Sequence, residues 1–369
     1  MEPLPFRVFV DEAELASLRG RLRGTRWPPA PGGVGWDLGI DPEYLREVVR
    51  YWADEFDWRA QERRLNGFAH FHMRVSDVEV HFVHERAAGG SGVPIVLTHG
   101  WPSTFAEYLP VVPLLTARGF DVVVPSLPGY GFTARPDHPH TMRDTARLWR
   151  DLMHGLGYSR FAAHGGDFGA GVTTFLGLDF PDDLLGLHLS NLELDPYLGP
   201  GSHPLSDAER ALIAAEEDFV SREGGYHLVQ STKPLTLGHA LADSPTGLAA
   251  WILEKWHAWS DSRGSLEPHF TRDDLLTTLT LFWTTNTITS SLLDFHDNRP
   301  LYDLPLPQIP TPTAIALFNN EHTHHGHIPR TWAARLYNLH RWNTMPTGGH
   351  FAATEEPEAL AADLAAFFL

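Results

Sequence analysis

The chain of 369 residues contains no cysteine. Disulfides, thiolate nucleophiles and thiolate metal sites are therefore excluded at once. Basic residues are scarce: 28 Lys and Arg stand against 46 Asp and Glu, a formal charge of −18. Such an excess repels phosphate backbones and anionic lipid, so nucleic acid is not an expected partner. No uninterrupted apolar run approaches the roughly 18 residues that a membrane helix needs. The opening MEPLPFRVFVDEAEL has neither the basic start nor the apolar stretch of a signal peptide. Internal repeats and low-complexity tracts are also missing. What remains is a globular protein expected in the cytoplasm without a membrane anchor. Its length suits one large core with an insertion, or two domains.

The pattern along the chain changes near residue 78. Before it, two helices stand in a meander. Asp11 with Glu14 has the form of an N-cap and its reciprocal partner, and Asp41-Pro42 opens a second helix with proline in its first turn. After it, short β-rich runs alternate with helices: 78–85, 94–100, 121–129, 160–166, 184–190, 313–320 and 339–346. That alternation argues for an α/β fold with a mostly parallel central sheet covered on both faces. Residues 200–305 break it with helical segments. One opens at Ser206 with Glu209 as a capping box, and others span 246–260 and 271–293. We expect a helical cap inserted into the sheet and a Pro-rich return linker over 298–312. The expected boundaries are 1–77, 78–199, 200–305 and 306–369.

One short stretch carries the chemistry. RFAAHGGDFGAG (160–171) has the form of a nucleophile elbow, G-x-Nu-x-G, with Asp167 where serine usually stands. Glu321 follows the strand candidate at 313–320, and His350 follows the last strand in TGGHF. Nucleophile, acid, histidine is the order of the α/β-hydrolases. A carboxylate nucleophile suits displacement at saturated carbon, giving an alkyl ester of the enzyme. Water activated by His350 then attacks that ester. The resulting oxyanion needs backbone donors, for which the amides of Phe168 and of Trp101 in HGWPS are the candidates. Glu321 would orient the imidazole.

These residues, with RLRGTRWP (21–28), DWRAQERRLN (57–66), PSLPGYGF (125–132), QSTKPLTLGHALADSPTGLAAWILEK (230–255) and GGHFAATEEPE (348–358), resemble the microsomal-type epoxide hydrolases. The likeness covers nearly the whole chain. It implies an α/β-hydrolase fold whose N-terminal segment wraps core and cap. It implies conversion of an epoxide to a vicinal diol without metal or organic cofactor. Asp167, Glu321 and His350 take the positions of the family's nucleophile, acid and base. Tyr226, in GGYHLVQSTKP, takes that of a cap tyrosine that protonates the epoxide oxygen, work suited to a neutral phenol. The expected partners are a small apolar or aromatic epoxide and, in a homodimer, a second copy of the chain.

The sequence departs from the family in two places. Where a second cap tyrosine usually stands it has Phe295 and His296, so Tyr226 works alone or His296 or Tyr302 supplies the second donor. The loop NNEHTHHGHIPR (319–330) is longer than usual and rich in histidine, which we read as a solvated insertion and not a Zn²⁺ or Ni²⁺ site. His164 is expected to bond strand or cap backbone. Trp251, Trp256, Trp259 and Trp283 form cap core or face the cavity, and Phe295, His296 and Trp283 are carried as substrate-binding candidates. Two rival readings remain open: a haloalkane-type dehalogenase using the same aspartate, and a catalytically silent binding protein on this scaffold.

Overall fold

The computed structural model describes residues 2–29, 31–267, 269–320 and 327–369. Its strands are β1 (Leu4–Phe6), β2 (His70–Val75), β3 (Val78–Glu85), β4 (Val93–Thr98), β5 (Phe120–Pro125), β6 (Phe161–Gly165), β7 (Leu184–Leu189), β8 (Ile309–Leu317) and β9 (Tyr337–Thr344). They form one sheet in the order β1-β2-β3-β5-β4-β6-β7-β8-β9. The first three strands and the β3–β5 pair are antiparallel, and the rest pair in parallel. All seven expected strand segments form. β4 to β7 are nearly continuous apolar runs because helices cover both faces of the sheet.

The helices before the insertion are α1 (Glu12–Arg23), α2 (Pro42–Asp54), α3 (Trp58–Leu65), α4 (Val112–Ala117), α5 (Met142–Gly155) and α6 (Phe168–Asp179). Between β7 and β8 lie α7 (Asp207–Glu223), α8 (Gly225–Thr232), α9 (Pro234–Asp243), α10 (Pro245–Trp259), α11 (Arg272–Thr284), α12 (Ile288–Asp297) and α13 (Arg299–Tyr302). The last are α14 (Arg330–Leu336), α15 (Ala352–Glu355) and α16 (Pro357–Phe368).

Several expectations change. Asp11 precedes α1, but its side chain caps nothing, and the Glu14 amide bonds the Asp11 carbonyl instead. The N-terminal region has a third helix, α3, and two strands: the three-residue β1, and β2, in which His70, Phe71 and His72 blur a simple apolar alternation. The segment 271–293 is two helices, because Asn286 takes a left-handed φ of 54° between α11 and α12. The return linker is shorter than expected. α13 occupies its start, and β8 begins at Ile309, tolerating Pro310 and Pro312 through a register shift between Ile309 and Pro312.

The N-terminal helices pack on the insertion. Tyr51 and Gln61 bond the Asp273 carboxylate at 2.9 and 3.0 Å, Trp52 Nε1 donates to Thr280 Oγ1 at 3.0 Å, and Arg64 pairs with Asp274 at 2.7 Å. The insertion is also fixed to the loop after β5 and to α14. Buried Arg135 bonds Asp294 and Asp297, both at 2.6 Å, and Arg335 of α14 forks onto Glu209 of α7 at 2.8 and 2.9 Å. The helices that cover the sheet's carboxyl end are thereby held on two sides.

Candidate active site

The chain leaves β6, turns at Gly166-Asp167 and enters α6. Asp167 holds φ 53° and ψ −134°, a conformation that costs an L-residue about 1–3 kcal/mol. Glycine makes the turn sterically open. A Cβ on Gly165 would lie 2.1 Å from the Gly169 carbonyl oxygen, and one on Gly169 would lie 2.0 Å from that of Thr98. The Asp167 amide donates to Asn191 Oδ1 at 2.8 Å, tying the turn to the loop after β7.

This lifts the carboxylate above the strand ends and divides its oxygens. Oδ1 accepts from the Trp101 amide at 2.8 Å and the Phe168 amide at 2.7 Å. Oδ2 lies 3.3 Å from His350 Nε2. Two backbone donors on one oxygen hold negative charge there with little reorganisation. Gly100 leaves the space, since a Cβ on it would stand 2.2 Å from Oδ1.

His350 is placed by its own loop. Its amide donates to the Trp259 carbonyl at 2.8 Å. Glu355 accepts from the amides of Asp261, Gly349 and Phe351 at 2.7, 3.1 and 3.0 Å, closing the loop around the histidine. Burial still pushes the Glu355 carboxyl up to about 7. Burial likewise raises Glu107 to about 7 and Glu193 to about 8, and the charge of His350 works against each shift. An imidazolium formed at His350 thus faces a field of carboxyls.

A cavity of about 190 Å³ opens above this group, and Asp167, His350, Tyr226, Trp259 and Glu193 are among its walls. Tyr226 comes from α8. Its ring lies parallel to Trp101 at 5.8 Å and meets Trp259 and Phe295 edge-on at 5.1 and 5.9 Å. Lys255 Nζ stands 4.9 Å over the same ring. The fold therefore brings Asp167, His350, Tyr226 and the amides of Trp101 and Phe168 together.

Other candidates land elsewhere. Phe295 packs on Phe168 at 4.9 Å and Trp101 at 5.3 Å, between the elbow and Tyr226, and is not among the described wall residues. His296 is a correction. Neighbours on a helix point about 100° apart, and with Phe295 turned inward His296 faces solvent, bonded to Asp297 at 3.0 Å. Trp283 is another correction, lying under the Arg21 guanidinium at 5.7 Å on the face toward the N-terminal helices. Trp256 and Trp259 are buried, and of the four only Trp259 is a described wall residue. His164 is a core residue bonded to His188 through Nδ1, at 2.9 Å to the ring and 3.1 Å to the carbonyl, and to Tyr108 at 3.2 Å. Glu321, His322, His324 and His325 lie outside the described residues. Among the described residues no cluster of three or more His, Asp or Glu is arranged to hold a metal. No described helix is long and apolar enough to cross a membrane.

Sequence reasoning missed Asn191, Glu193 and Glu355. The first two lie in the irregular stretch after β7, where no periodicity assigns a direction. Glu355 stood in the GGHFAATEEPE motif without a role. Tyr302, named only as an alternative donor, gives its hydroxyl hydrogen to Glu193 Oε1 at 2.5 Å.

Residues 3–108 match the family model of the epoxide hydrolase N terminus, and residues 93–357 match that of the alpha/beta hydrolase fold. Epoxide hydrolase 1 of Oryctolagus cuniculus is 35% identical over 98% of this chain and 88% of its own length. Among solved structures, the juvenile hormone epoxide hydrolase of the silkworm Bombyx mori superposes with a TM-score of 0.90 at 30% identity, covering 99% of this chain and 94% of that one. The Aspergillus niger epoxide hydrolase gives 0.88 at 34% identity, covering 100% and 96%.

Proposed function

Because the chain belongs to the epoxide hydrolases that carry a dedicated N-terminal segment ahead of an α/β-hydrolase fold, and hydrolyses epoxides, we propose that it does so through an ester on Asp167. Asp167 Oδ2 attacks an oxirane carbon, the carbon–oxygen bond breaks, and the leaving oxygen takes the Tyr226 proton. Oδ1, between the Trp101 and Phe168 amides, becomes the ester carbonyl oxygen. Water gives a proton to His350 and adds to the Asp167 carboxyl carbon, so the new oxyanion forms where two N–H groups already point. Collapse releases the diol, whose second hydroxyl keeps the other proton of the water. One oxygen of the regenerated carboxylate comes from water, and the proton on His350 returns through solvent to the Tyr226 phenolate. Glu321 is assigned the imidazole-orienting role from the family pattern.

The observation that carries this reading is the unequal treatment of the two Asp167 oxygens, one on paired amides and one facing His350 and the cavity. Residues 200–305 act as the cap, 1–77 as the strap around it, and 78–199 with 306–369 as the core. The substrate has an apolar or aromatic body, supported by Leu212, Trp259, Leu317 and Phe318 in the wall. The cytoplasm is the proposed compartment, in keeping with a chain that has no cysteine to oxidise. A homodimer is an expectation for light scattering to read. His350→Gln protein mixed with an epoxide panel tests the chemistry. Peptide mass spectrometry should find the alkyl adduct on Asp167. Diol formation with no adduct, or an adduct on another residue, would overturn it.

A further inference from the structure

Glu193 is not used by the steps above, yet it lines the cavity beside the nucleophile. It is partly accessible, and its place in the wall means that the cavity reaches it. One carboxyl oxygen takes the Tyr302 hydroxyl hydrogen at 2.5 Å. Around it stand buried Leu194 and Leu212, and no Lys or Arg is among the described wall residues. Glu216, from α7, lines the same cavity.

A carboxylate without a cation in a poorly hydrated place is costly, and it keeps its proton unless a partner is supplied. Burial accordingly pushes Glu193 up to about 8 and Glu216 up to about 7. For Glu193 the nearby charge of Asp167 adds to the effect, and the Tyr302 hydrogen bond and His350 oppose it. An apolar ligand filling the cavity would strip the remaining water from these carboxyls and give nothing back. A positively charged ligand would supply the missing partner. An anionic one would meet Asp167, Glu193 and Glu216 together.

We propose that Glu193 is a specificity determinant, and that the preferred substrate is an epoxide whose apolar body carries an ammonium group paired with this carboxyl. The proposal rests on the reading that the oxirane lies between Asp167 and Tyr226. No bond to Glu193 is made or broken during turnover. Its proton leaves to solvent when the cation binds.

Three matched epoxides test it: 4-(aminomethyl)styrene oxide, its 4-ethyl isostere and its 4-carboxy counterpart. The wild-type protein should show kcat/KM at least about tenfold higher for the ammonium compound than for the ethyl compound, and lowest for the carboxylate. In Glu193→Gln the ammonium-to-ethyl ratio should fall toward one. Binding of the amino diol product, followed by calorimetry in phosphate and in Tris at pH 7, should release protons from the wild type and clearly fewer from Glu193→Gln. Equal wild-type kcat/KM for ammonium and ethyl compounds, or a preference for the carboxylate, overturns the proposal whether or not the variant folds. If none of the three gives diol or an Asp167 adduct, the underlying reading of the cavity falls and the selectivity with it.

Discussion

The two walls of the cavity are built in different ways. The nucleophile wall is fixed by backbone: the Asp167 carboxylate meets amides from the loops after β4 and β6, and its own amide is held by the loop after β7. Glycines 100, 165 and 169 leave no room for a side chain. The opposite wall is built from side chains. Tyr226 rides on an eight-residue helix, and its ring packs among the side chains of Trp101, Trp259, Phe295 and Lys255. A backbone-built wall tolerates almost no change, whereas a side-chain wall can exchange residues and retune its ligand. Phe295 packs behind Tyr226 on that adaptable side, and Glu193 enters the same cavity from the loop after β7.

The contrast can be broken on the rigid side with one methyl group. Gly100→Ala places a carbon 2.2 Å from Asp167 Oδ1 and must move the carboxylate off its amides. We expect about a 10²-fold or larger fall in kcat, since a displacement near 1 Å has that cost. Retained activity would show that the alignment is not needed. On the other wall, Tyr226→Phe should slow single-turnover ring opening by about 10²-fold while leaving ester hydrolysis unchanged. Phe295→Tyr sharpens the comparison in the other direction by returning a hydroxyl beside Tyr226. A gain of at most about tenfold in ring opening is expected, the value of one added hydrogen bond to developing charge. No gain would mean that Tyr226 suffices.

The smallest effect concerns how the walls are joined. The Arg335 guanidinium beside Glu209 holds that carboxyl down at about 2, against an ordinary value of 4.5. A depressed carboxyl stabilises the fold above its unfolded pKa, and the contribution is lost as pH falls from about 4.5 through about 2. Urea midpoints measured at pH 6 and pH 3 should differ less in Glu209→Gln than in the wild type. An equal difference would detach this pair from acid stability.

The same contrast explains what was legible in the sequence. β4 to β7 declared themselves because burial on both faces leaves uninterrupted apolar runs. The elbow was legible because close crossing of strand and helix demands glycine at fixed positions around one functional residue. β2 was not, because histidine and phenylalanine blur its alternation. The start of α8 was hidden by Gly224-Gly225, so the resemblance and not periodicity pointed to Tyr226. His296 and Trp283 went astray because spacing names the residues of a helix without saying which face meets the cavity. Glu193 had no signal of its own, since its exposure to the cavity depends on where α13 returns Tyr302.

The covalent ester is tested most directly by one turnover of enzyme in excess over epoxide in ¹⁸O-water. The account predicts that the first diol carries unlabelled oxygen and that the tryptic peptide containing Asp167 gains one ¹⁸O. Labelled diol with an unlabelled Asp167 peptide would mean that water opened the ring directly, and would contradict it.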